Sequence, residues 1–121
     1  MSAETSAKSC RDTSFYASYK NVIDLVARGL WILIHYTRGS CVAFTIKRVL
    51  ENAGCDKPLP VLVTIAKEIL DKLVKQKLLT IDNTRSIKRY TICKDSPLWN
   101  VIKKAEEPEE VFNYLSTVVE P

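Results

Sequence analysis

From Val22 to Ile34 apolar residues recur at helical spacing: Val22, Ile23, Leu25, Val26, Leu30, Leu33 and Ile34. From Leu30 to Ile34 every side chain is apolar. A helix on the surface of a domain needs only one apolar stripe. A segment that is apolar nearly all round lies centrally in a core or is shared with a partner chain. This first helix, starting near Ser18 with Gly39 as its stop, is therefore the element around which the rest must fold. The 121 residues, 46% of them hydrophobic, suffice for one domain with one core.

The same run also excludes. Leu30–Ile34 is the longest apolar stretch, far short of the ~20 residues needed to cross a bilayer. Met1 to Tyr19 is polar and holds no apolar core for a signal peptide. The sequence thus reads as soluble and cytoplasmic, with no membrane partner, and residues 1–17 as a flexible N-terminal arm. His35 is the only histidine, and Cys10, Cys41, Cys55 and Cys93 include no CxxC pair, so neither a metal site nor a cofactor is expected. His35 fits a packing or helix-terminus role better than a catalytic base, and Trp31 and Trp99 sit within apolar helical stripes. No phosphate loop is formed by the isolated Gly29, Gly39 and Gly54. Cys–His catalysis would need a third, orienting group that nothing marks, so no enzyme is expected. In a cytosolic protein the cysteines are expected as free thiols, a disulfide staying open for a hyperthermophile. The single Gln76 and the lone Met1 lean towards such a source, where thermolabile residues are scarce.

Charge is unevenly spread. The net charge is +4, yet all 18 Lys and Arg fall within residues 1–104, while 105–121 carry five Glu and no cation. A basic body with an acidic tail points to a polyanion partner. In the tail, Pro108, Glu109 and Glu110 suit a helix start, and Val111, Phe112, Leu115, Val118 and Val119 form its apolar side. This helix is expected to pack on the domain or at a dimer interface.

Between the first and last helices, Cys41–Phe44 reads as a short strand. Thr45 caps a helix Ile46–Ala53 that Gly54 ends, and Pro60 or Pro58 opens a third helix running to about Gln76. Lys77 to Asp82 reads as a strand, Asn83–Ser86 as a turn and Ile87–Cys93 as a returning strand with Tyr90 and Ile92 on one face. Ser96-Pro97 opens a fourth helix.

Helix, short strand, helix, helix, strand, turn, strand and helices is the order of the winged helix-turn-helix. The segment Ile65–Leu79 resembles the recognition helix of winged-helix regulators, with Leu73, then Lys75-Gln76-Lys77, then Leu78-Leu79 entering the hairpin of Thr80-Ile81-Asp82 and Tyr90-Thr91-Ile92. The resemblance covers residues 20–95, and size and composition are similar to small archaeal or archaeal-virus regulators. It implies a fold that is mainly α with a small antiparallel β-sheet (α+β), a winged helix at 18–104 with extra C-terminal helices. Residues 60–76 would be the recognition helix and 83–89 the wing. Duplex DNA would be met by Lys57, Thr64, Lys67, Lys72 and Lys75 along the helix and by Arg85, Lys88 and Arg89 at the wing, with phosphate contacts dominating affinity. The first strand of such folds pairs with the returning wing strand, which brings Cys41 beside Cys93. A disulfide there would close a loop of about fifty residues and add about 3–4 kcal/mol.

One departure matters. The start of the third helix, Leu59-Pro60-Val61-Leu62-Val63-Thr64, carries no Arg, Asn or Gln, the usual readers of base edges. Two functions follow: a transcription regulator or chromatin-type factor, acting as a homodimer through the two apolar helices, or a protein-docking winged helix serving as an adaptor or accessory subunit.

Overall fold

The computed structural model describes residues 19–55, 57–82 and 86–119. The expected arm at 1–17 lies outside them. The central helix α1 spans Tyr19–His35 and buries Val22, Ile23, Leu25, Val26, Ala27, Gly29, Leu30 and Ile34. All four other helices pack against it. Its all-apolar half is thus largely consumed within the chain, with Ile32 and Leu33 left half-buried. The helix ends at His35, where Tyr36 N–H still reaches the Ile32 carbonyl (3.1 Å). Gly39 lies four residues further on in an exposed bend and does not cap α1, contrary to the sequence expectation.

Strand β1 (Cys41–Phe44) leads into α2 (Ile46–Asn52). Thr45 caps α2, its hydroxyl oxygen accepting from Arg48 N–H at 3.2 Å. At its end Gly54 adopts φ 96°, with Gly54 N–H on the Glu51 carbonyl (3.0 Å) and Cys55 N–H on that of Leu50 (2.8 Å). This pair of bonds ends a helix by letting one residue turn left-handed. Helix α3 (Pro60–Lys75) closes with the same two bonds, from Lys77 to Val74 (2.9 Å) and from Leu78 to Leu73 (3.0 Å). Here the left-handed residue is Lys77, φ 64°, where glycine would be unstrained. That turn shortens the next strand. Instead of beginning at Lys77, β2 spans Thr80–Asp82, because Leu78 and Leu79 swing into the core first.

The three strands form one antiparallel sheet in the order β1-β3-β2, with β3 at Arg89–Cys93. Tyr90 and Ile92 are buried, and Arg89 faces solvent. The register sets Cys41 opposite Cys93, Cα atoms 4.0 Å apart, and the two are joined by a disulfide. Lys94 N–H bonds to the Ser40 carbonyl (2.9 Å) just beyond the pair, so the cysteines occupy a close, non-hydrogen-bonded position of the ladder. Cys55 is disulfide-bonded too. The free thiols expected from sequence are therefore replaced by bonded ones, with no free cysteine among the described residues. Closing a 52-residue separation constrains the unfolded chain by about 4 kcal/mol in the loop-entropy picture.

Helix α4 spans Pro97–Lys104 and α5 Pro108–Val119. Ser96, buried, accepts from Leu98 N–H (3.2 Å) and donates to the Leu78 carbonyl (2.8 Å), tying the start of α4 to the end of the α3 turn. Val111, Leu115 and Val119 are buried, with α5 lying along α1, so the stripe expected to serve packing or dimerisation packs within the chain. Among the described residues no helix is long and apolar enough to cross a membrane.

Two positions set the helix geometry. A Cβ at Gly29 would overlap the carbonyl and side chain of Val49 on α2, so α1 and α2 meet at this close only with glycine there. Thermal unfolding should therefore separate the two variants by sign. Gly29→Ala should lose about 2–3 kcal/mol, a fall in Tm of roughly 10 °C, whereas Lys77→Gly should gain about 1 kcal/mol by relieving the left-handed backbone.

Candidate nucleic-acid interface

Helix α3 offers its inner face to the core through Leu62, Ala66, Ile69, Leu70 and Leu73, which leaves Thr64, Lys67, Glu68, Asp71, Lys72 and Lys75 along the outer side. These six line a shallow groove of about 380 Å³. The hairpin joins this face through one side chain. Tyr90, wholly buried on β3, donates its hydroxyl to Asp71 Oδ1 at 2.9 Å. The other carboxylate oxygen of Asp71 accepts from Lys67 Nζ at 2.8 Å.

The electrostatics follow from that triad. Burial alone would push the Asp71 carboxyl up, but the hydrogen bonds from Lys67 and Tyr90 and the charges of Lys67 and Lys88 outweigh it and hold it below 3.8. Lys67 is held above its ordinary value, chiefly by the hydrogen bond to Asp71. Burial, reinforced by the carboxylate, pushes the Tyr90 phenol well above 10. Lys88, just before β3, adds the smallest of the attractions that hold the Asp71 carboxyl down.

The eight residues read from sequence fall into distinct groups. Lys67 and Lys75 line the outer groove of α3, and Lys88 is exposed on the hairpin just before β3. Thr64 is exposed but its hydroxyl donates back to the Pro60 carbonyl (3.0 Å). Lys57 is exposed in the segment ahead of α3. Lys72 is turned to structural partners: its Nζ lies 3.4 Å from the Tyr19 hydroxyl and from the Val119 carbonyl, 5.3 Å from the Tyr19 ring centre and 3.9 Å from Glu68. It ties together α3, the start of α1 and the end of α5. Arg85 lies outside the described residues. Arg89 is exposed on the outer face of the sheet, where it shares a groove with Arg48, a residue the sequence reading passed over.

The aromatic and histidine side chains are committed elsewhere. Trp31 donates its indole N–H to the Ala105 carbonyl (3.0 Å), and His35 Nε2 donates to that of Ile102 (2.8 Å), so two rings of α1 satisfy carbonyls at the end of α4. A carbonyl only accepts, so His35 Nε2 carries a proton. Among the described residues no three His, Cys, Asp or Glu side chains gather to hold a metal ion. Among the described residues three large apolar side chains stand out in solvent: Val61 on the first turn of α3 (50% exposed), Ile87 beside β3 (65%) and Tyr36 after α1 (81%).

Compared with known protein families, with curated proteins and with solved structures, the chain finds no match.

Tyr90→Phe should cost about 1 kcal/mol in urea unfolding by deleting the bond to Asp71. Asp71 is lowered on folding, so its contribution is full above the unfolded value of about 4 and is lost as pH falls through the folded one. The stability gap between the wild type and Asp71→Asn should therefore be wider at pH 7 than at pH 2.

Proposed function

We propose that the chain is a winged helix-turn-helix protein that binds duplex DNA, with α3 as recognition helix and the β2–β3 hairpin as wing, acting as a transcription regulator or chromatin-type factor. The observation that supports it is the bond from Tyr90 on β3 to Asp71 on α3, whose carboxylate also holds Lys67, so the hairpin is joined to the cation-bearing face of α3. With Lys75 further along α3, that face suits the spaced charges of a phosphate backbone. The first turn of α3 presents Val61 where base readers would stand, so affinity comes mainly from phosphate and sequence preference is weak. The disulfide fits an intracellular DNA-binding protein best if the source is a hyperthermophile, in whose cytosol such bonds persist.

A second reading, a protein-docking adaptor, is favoured by the exposure of Val61 and Ile87. A homodimer, deprived of the α5 stripe, would have to use the half-exposed Ile32 and Leu33 with Tyr36.

Duplex binding measured across a salt series separates the readings. DNA binding predicts that affinity falls steeply with salt, and that Lys75→Ala with Lys88→Ala lowers the log–log slope by about 2. No binding at low salt would leave the adaptor.

A further inference from the structure

Arg48 and Arg89 come from distant parts of the chain and meet in one groove. Arg48 stands on the first turn of α2, three residues after the cap Thr45, and Arg89 opens β3. Phe44 pairs with Tyr90 in the ladder, so the chain leaving β1 at Thr45 passes beside Arg89. Ala43, Phe44, Thr45, Arg48 and Arg89 line a cleft of about 290 Å³. Both arginines are exposed, and neither makes an ion pair or a side-chain hydrogen bond among the described residues, although Asp82 is paired with Arg89 in the strand register. Thr45 uses its oxygen to accept from Arg48 N–H, which leaves its O–H proton to donate.

Two guanidinium groups in one cleft, unpaired among the described residues, repel each other and gain by sharing an anion. The planar fork of each matches two oxygens of a phosphate group, and a hydroxyl donor beside them adds a third direction of contact. We infer that Arg48, Arg89 and Thr45 form a binding cleft for a phosphate-class oxyanion. Resting on the function proposed above, that oxyanion is a backbone phosphodiester of the duplex, reached from α2 and the root of the hairpin in addition to the face of α3. The same chemistry would take a free phosphate compound, and the experiment distinguishes the two sources.

The test measures two probes, a random-sequence 20-base-pair duplex and inorganic pyrophosphate, against the wild type, Arg48→Ala, Arg48→Lys, Arg89→Ala and Lys103→Ala. Lys103 is an exposed cation on α4 and reports the effect of net charge alone. The variants should melt with the wild type, since neither guanidinium holds a partner among the described residues. The expected result is a loss of about ten-fold in duplex affinity for either alanine variant, with the salt slope reduced by about 1. Lys103→Ala should stay near the wild type. Arg48→Lys should keep the slope but not the affinity, because it retains charge and loses the fork. Duplex binding unchanged by Arg48→Ala, or weakened equally by Lys103→Ala, overturns the cleft and leaves the DNA reading standing. Pyrophosphate binding that needs Arg48, in a chain that ignores the duplex, keeps the cleft and removes the DNA reading. Binding of neither probe overturns both.

Discussion

The whole structure depends on the burial of one helix. α1 is apolar around so much of its circumference that it is stable only when other elements enclose it, and α2, α3, α4 and α5 do so. Gly29 sets how close the enclosure comes, since the carbonyl of Val49 occupies the space a side chain would need. Even its polar-tipped side chains serve this end: Trp31 and His35 bond the last carbonyls of α4 and fix where that helix stops.

Around that centre the sheet is fastened at several points. The Cys41–Cys93 disulfide joins its edge strand to its middle strand, and the Ser96 hydroxyl ties the approach of α4 to Leu78. Tyr90 reaches through to Asp71 on α3. This last bond fastens the hairpin to α3 at the same carboxylate that pairs with Lys67. A carboxylate amid the cations has a second effect. It neutralises part of the positive face, because Lys67 is already paired with it.

Much of the fold was legible because local chemistry and global packing agree. Thr45 and Ser96 cap their helices, Gly54 ends α2, and the alternation of Tyr90 and Ile92 marks the buried side of β3. Where reading failed, a residue acts against its type. Lys77 takes a left-handed turn that glycine usually takes, so β2 begins later than the apolar run suggests. Gly39, a plausible stop, lies past the true end of α1. The cysteine spacing alone suggested free thiols, but the strand pairing that the winged-helix resemblance implies set Cys41 beside Cys93, where the disulfide is found. The site was less legible than the fold. Lys72 has the same spacing as its neighbours, yet tertiary contacts with Tyr19 and Val119 claim its amine. Arg48 could have been found from the Thr45 cap together with the strand register, but neither alone marks it.

In the proposed DNA-binding role, α3, the β2–β3 hairpin and the start of α2 act as one continuous surface. Backbone amide chemical shifts recorded during titration with a short duplex test this most directly. Perturbations should cluster at Lys67, Lys75, Lys88, Arg89 and Arg48 and spare the Ile32–Tyr36 side of α1. Perturbations confined to that apolar side, or none at all, would contradict it.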